Sequence, residues 1–174
     1  MQKILLPLTA IGAALIAAPA AAQSAPTSDV YGGLQVGTHD FGLPTAADDN
    51  GIFYGGFVGV DVPVSGSVFV GAEGNFNFGS SAIDREYGVA ARIGTEIAPG
   101  TKLFVRGGYQ EVDFDVRRLT GVANPPAGVD DTDGDYLVGV GADVAVTNRV
   151  GLRLAADTIS FDSTRISAGV VFHF

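Results

Sequence analysis

From residue 29 onward the sequence alternates, with apolar side chains at every second position and the charges between them. Successive side chains of a strand point to opposite faces, so a period of two marks a strand with one apolar face. In "IFYGGFVGVDV", Ile52, Tyr54, Val58, Val60 and Val62 share a face opposite Asp61. "VFVGAEGNFNF" sets Val68, Val70, Ala72, Phe76 and Phe78 against Glu73, Asn75 and Asn77. "REYGVAARIGTEI" sets Tyr87, Val89, Ala91, Ile93 and Ile97 against Glu86, Arg92 and Glu96. "LFVRGGYQ" opposes Leu103, Val105 and Tyr109 to Arg106 and Gln110. "DYLVGVGADVAV" opposes Tyr136, Val138, Val140 and Val144 to Asp143, and "VGLRLAADT" opposes Leu152 and Leu154 to Arg153 and Asp157. "TRISAGVVFHF" opposes Ile166, Val170, Phe172 and Phe174 to Arg165, Ser167 and His173. With a weaker first run, "VYGGLQVGTH", there are eight predicted strands.

The connections alternate in length. Tight turns follow the second, fourth and sixth runs, at 63–67, 98–101 and 147–149. Longer polar stretches follow the first, third and fifth, at 40–51, 79–84 and 111–134. Up-and-down strands with short turns at one end and long loops at the other describe a transmembrane β-barrel. A soluble barrel is the competing architecture, with its apolar residues inside. Three features favour the membrane. Ten charged positions (Asp61, Glu73, Glu86, Arg92, Glu96, Arg106, Asp143, Arg153, Asp157, Arg165) share the non-apolar face. Small residues such as Gly55, Gly59, Gly139 and Gly169 lie on that same face, as the narrow interior of an eight-stranded barrel requires. Tyr54, Tyr87, Tyr109 and Tyr136 sit on the apolar face at the loop-side ends of their strands, where an interfacial aromatic girdle belongs. Phe172 and Phe174 mark the opposite rim.

The first segment reads as an address. "MQKILLPLTAIGAALIAAPAAAQSA" has Lys3, an apolar stretch and a small-residue site at Ala20-Ala21-Ala22. That is the pattern of a secretory signal peptide over 1–22, leaving a barrel domain over 23–174 with strands from about residue 29. Beyond Ala22 no apolar run is long enough for a transmembrane helix. The formal net charge is −9, and loss of Lys3 makes it −10, so a nucleic-acid partner is excluded on charge. There is no cysteine, hence no disulfide, thiol nucleophile or thiolate metal site.

The apolar run "GVVFHF" ends on an aromatic. A strand that closes a barrel against its first strand needs such an ending, because lipid tolerates no open sheet edge. The signal peptide, the eight-strand pattern and this closing run resemble the small outer-membrane β-barrel family of OmpA, OmpX and opacity type. The resemblance implies an integral outer-membrane location with both termini periplasmic, and lipopolysaccharide as a neighbour. It also implies that Val170, Phe172 and Phe174 are the signal read by the barrel-assembly machinery. The chain departs from the family in lacking Trp and in ending without a peptidoglycan-binding domain, so wall anchoring is not implied.

If "TNR" is the turn, Val146 pairs with Val150 and Asp143 falls opposite Arg153, which predicts a lumenal ion pair. The inward charges then plug the lumen. The alternative is a narrow porin-like channel for small solutes. A lipid A-modifying enzyme is a third reading, in which His39 would meet Ser80, Ser81 or Ser163 at the loop side, but no motif ties them together. No catalytic residue, cofactor or metal is expected. "VDDTDGD" (129–135) has acids at Asp131, Asp133 and Asp135 but lacks the remaining EF-hand ligands. Arg117 and Arg118 are candidate contacts to lipopolysaccharide phosphates. The expected function is structural or surface-interactive, through the long loops.

Overall fold

The computed structural model describes residues 27–40, 50–80, 83–114 and 132–174. The signal-peptide reading, Arg117, Arg118 and Asp131 lie outside the described residues. Eight strands follow one another: β1 (Asp29–Asp40), β2 (Asn50–Ser65), β3 (Val68–Gly79), β4 (Ile83–Ala98), β5 (Thr101–Phe114), β6 (Thr132–Ala145), β7 (Val150–Ile159) and β8 (Ser163–His173). Each pairs antiparallel with the next, and β8 returns to β1, closing a barrel. Closure runs through the last residue, since the Phe174 backbone N–H donates to the Val30 carbonyl at 3.0 Å.

The two faces of this wall are inverted relative to a water-soluble protein. Leu34 and Leu154 are 67% and 65% exposed on the outside, whereas Arg153 and Arg165 are 2% and 1% exposed inside. In water, burying charge while exposing a continuous apolar wall is unfavourable on both counts. In hydrocarbon the same arrangement is favourable, because the closed sheet pairs its backbone groups and keeps the charges away from lipid.

Not every inward residue is polar. Phe53, Phe57, Phe69 and Phe104 are buried within the barrel, on the face that also carries the charges. Each stands opposite a glycine in the register: Phe53 and Phe57 opposite Gly37 and Gly33, Phe69 opposite Gly94, and Phe104 opposite Gly141. A Cβ at Gly33 would lie 2.3 Å from Phe57 Cζ, and one at Gly141 would lie 2.3 Å from Phe104 Cζ. So these glycines provide seats for the aromatic rings inside a narrow barrel.

The strands also run further than the alternation indicates. β5 continues through Phe114 and β6 begins at Thr132, taking residues from both ends of the stretch read as a loop over 111–134. Val112 breaks the pattern of the lower strand, because it is apolar yet faces inward with Leu137 and Ile159.

Candidate functional site

The centre of the lumen is organised around one carboxylate. Glu73 Oε1 accepts from Arg106 Nη1 at 2.7 Å. Its Oε2 accepts from Arg153 Nη1 at 2.5 Å, the Tyr31 hydroxyl at 2.9 Å and Arg92 Nη1 at 3.2 Å. The arginines carry the network outward to other acids. Arg153 grips Asp143 with two hydrogen bonds, Nε to Oδ1 at 2.6 Å and Nη2 to Oδ2 at 2.8 Å. The register sets these two directly opposite. Arg106 makes the same fork to Asp157, both bonds at 2.7 Å. Arg165 Nη2 also donates to Asp157, at 3.0 Å. Arg92 reaches Asp143 at 3.0 Å and Asp61 at 3.1 Å. Paired forks of this kind are the geometry in which a buried guanidinium is best satisfied.

Every strand supplies a member: Tyr31 from β1, Asp61 from β2, Glu73 from β3, Arg92 from β4, Arg106 from β5, Asp143 from β6, Arg153 and Asp157 from β7, and Arg165 from β8. The inward aromatics hold the guanidinium planes. Arg92 Cζ lies 4.0 Å from the Phe104 ring centroid and Arg153 Cζ lies 4.3 Å from that of Phe57. Stacking of this kind keeps a weakly hydrated guanidinium in place.

Other layers lie along the axis. An amide layer joins Gln35, Asn77, Asn75 and Gln110, with Gln35 Nε2 donating to Asn77 Oδ1 at 2.8 Å and Asn75 Nδ2 to Gln110 Oε1 at 3.1 Å. At the turn end, Lys102 Nζ contacts Asp29 at 2.6 Å and Asp61 at 3.3 Å, and His173 Nδ1 lies 2.8 Å from Asp29. At the loop end, His39 Nε2 is 3.2 Å from Ser163 Oγ, and His39 Nδ1 is 3.4 Å from Glu86 Oε2. Ser163 Oγ donates to the Ile159 carbonyl at 3.1 Å.

Nine of the ten charged positions singled out in the sequence are buried in these layers; Glu96 is the exception and a correction. It is exposed, and its Oε1 accepts from the Gly100 backbone N–H at 2.8 Å. The β4–β5 register shifts between Glu96 and Ala98, where the strands leave the barrel rim to make a turn, so its carboxylate caps that turn. Alternation missed Lys102 and Asp29, which stand at strand ends where the pattern is too short to read. It missed the inward Phe residues because it equates apolar with outward. Their signal was available in the glycines opposite them.

On the outer wall Tyr54, Tyr109 and Tyr136 are exposed, with Tyr109 and Tyr136 side by side in the register. Rings continue along β2 to β4 from Tyr54 to Phe78 (6.2 Å), Phe76 (5.1 Å) and Tyr87 (6.3 Å between centroids). At the opposite rim Val170, Phe172 and Phe174 all face outward, with Val170 half-buried and both Phe exposed.

An inverted barrel with charges buried in its lumen agrees with the sequence comparison. The "Outer membrane protein beta-barrel domain" matches residues 8–174. The chain belongs to that family. Its place is therefore the outer membrane. No curated protein matches the sequence of this outer-membrane barrel. Among solved structures it is similar to Ail, the attachment invasion locus protein of Yersinia pestis, at 14% identity and TM-score 0.54, covering 84% of this chain and 97% of that one. It is similar to Neisserial surface protein A at 15% identity and TM-score 0.54, covering 87% and 100%. The N-terminal barrel of Pseudomonas aeruginosa OprF matches at 13% identity and TM-score 0.52, covering 86% and 99%. At these identities the likeness is one of fold.

Proposed function

We propose that this protein is a plugged outer-membrane barrel whose work is structural or surface-interactive, done by the segments 41–49 and 115–131 rather than by its lumen. One observation carries the reading: Glu73 binds three arginines across the lumen, in a buried network with a member from every strand. Opening a water path would separate those charges from partners they have nowhere else to find. The same observation weighs against a porin-like channel.

The protein is read as non-enzymatic. Ser163, His39 and Glu86 are the residue types of a nucleophile triad, but the Ser163 hydroxyl proton is already given to the Ile159 carbonyl. A signal peptide over 1–22 delivers the chain, and Val170, Phe172 and Phe174 serve as its recognition strand for assembly. Both termini then face the periplasm, and 41–49 and 115–131 face outward toward lipopolysaccharide. The Ail structure with the heparin analogue sucrose octasulfate concerns a polyanion. The formal charge of −9 here argues against a ligand of that kind.

An epitope inserted in 41–49 or 115–131 is expected to bind antibody on intact cells, while one in the turn 146–149 binds only after the outer membrane is opened. Deleting 115–131 is expected to leave a heat-modifiable, folded barrel. Tags shielded on intact cells, or a barrel made leaky by the deletion, would show that these segments belong to the closure and not to a contact surface.

A further inference from the structure

Among the described residues, the loop-side aromatic belt of the outer wall covers part of the circumference. Tyr54, Phe78, Tyr87, Tyr109 and Tyr136 carry it from β2 to β6. β7 has no aromatic residue, and Phe172 of β8 stands with Phe174 at the opposite rim. The tyrosine of β1, Tyr31, points into the lumen. An aromatic does stand on this side, at the tip between β7 and β8: Phe161, 79% exposed.

Phe161 is an expensive residue for that position. Ser160 and Phe161 have φ of 58° and 62°, and no other non-glycine residue among those described has a positive φ. Bulky side chains rarely adopt this left-handed region. The Asp162 N–H closes the turn on the Ile159 carbonyl at 3.4 Å. A tight hairpin turn with two successive left-handed residues has Asn-Gly as its low-cost sequence, not Ser-Phe. Neighbours hold the turn in place. Ser160 donates its N–H to the Tyr136 carbonyl at 3.0 Å and its hydroxyl to the Asp135 carboxylate. The hydroxyls of Ser163 and Thr158 donate to the Ile159 and Ser163 carbonyls at 3.1 and 3.0 Å. Strain persists where the surroundings over-determine it, and it marks a position with a task. A phenyl ring this exposed gains little from its own chain, so what offsets the strain lies outside the chain.

Position says what that is. Ser160 is bonded to Tyr136, a belt residue 73% exposed, and Phe161 follows it. Further down the two strands that the tip joins, Leu154 and Ile166 are exposed on the lipid-facing wall. The tip is continuous with the surface that meets the bilayer.

We propose that Phe161 is a lipid anchor, which completes the aromatic belt over β7 and β8 by inserting at the boundary between headgroups and acyl chains of the outer leaflet. An aromatic ring at that boundary gains apolar surroundings that water does not offer. Asp135 and Asp162 beside it remain among the headgroups. The β7–β8 edge of the mouth is thereby held at the membrane surface, so a soluble partner meets the protein elsewhere. The anchor rests on the outer-membrane location alone and stands whether or not the lumen conducts.

The chain has no Trp and no Cys, so a single reporter is unambiguous. Phe161→Trp, refolded into phospholipid vesicles, is compared with Tyr136→Trp as the reference for the belt. The expected result is emission shifted to the blue of tryptophan in water, quenching by lipids brominated near the headgroup end of the chain, and protection from aqueous acrylamide. Emission at the wavelength of water, open to acrylamide and indifferent to brominated lipid, would overturn the anchor and leave Phe161 as a contact for a soluble partner. Phe161→Cys carrying a nitroxide gives a second reading by spin-label relaxation. Greater accessibility to oxygen than to a water-soluble nickel chelate is expected, and the reverse order would overturn the proposal.

Discussion

Glu73→Ala is expected to destabilise the barrel by about 3–5 kcal/mol, the usual cost of removing one partner from a buried ion pair. The loss is large because Glu73 is the shared acceptor for Arg92, Arg106 and Arg153, and the guanidiniums it would abandon are buried. Most of that cost is the stranded charge and not the bond itself. The double variant Glu73→Leu with Arg153→Met removes one acid and one base, so the remaining charges keep their balance. Asp143 retains Arg92 as a partner in that variant. It is therefore expected to be more stable than Glu73→Ala alone, a non-additivity that neighbours in one network show and distant sites do not. Urea titration of the refolded chain, with the heat-dependent gel shift as the measure of folding, gives both numbers. Additive losses would mean that the charges do not act as a unit.

Val140→Arg is expected to cost about 2–4 kcal/mol, as an arginine facing lipid at mid-depth does in barrels of this kind. Val140 is exposed on the outer wall, midway along β6 between Tyr136 and Val144. Val64→Arg provides the comparison. Val64 is equally exposed but lies beside the turn at 66–67, where the penalty falls to about 0–1 kcal/mol. A gradient between the two sites in bilayer folding titrations reports hydrocarbon outside the wall. Two equally mild effects would mean that the apolar face does not meet lipid.

The barrel was legible in the sequence because lipid forces a strict choice at every position. A residue on the wrong face is expensive, so the period of two persists through all eight strands. The Asp143–Arg153 pairing could be read for a related reason: a short turn fixes register, and register fixes which side chains face one another. The interior was only half legible. Alternation says which residues point inward but not how they stack along the axis, so the fourfold coordination of Glu73 and the amide layer of Gln35, Asn75, Asn77 and Gln110 came only with the three-dimensional arrangement. Where the environment changes, the rule changes too. Val112 faces inward on the loop side of Tyr109, and Glu96 is exposed at the turn-side rim, each against the pattern of the strand it belongs to.

The closure of the lumen is tested most directly by the conductance of the refolded chain in a planar bilayer, with folding confirmed beforehand by the gel shift. The network predicts silence from the native chain, and no opening on the timescale of the recording. Reproducible channels whose conductance or ion selectivity shifts in Arg153→Ala would contradict it, and would make Asp143 and Arg153 the lining of a pore.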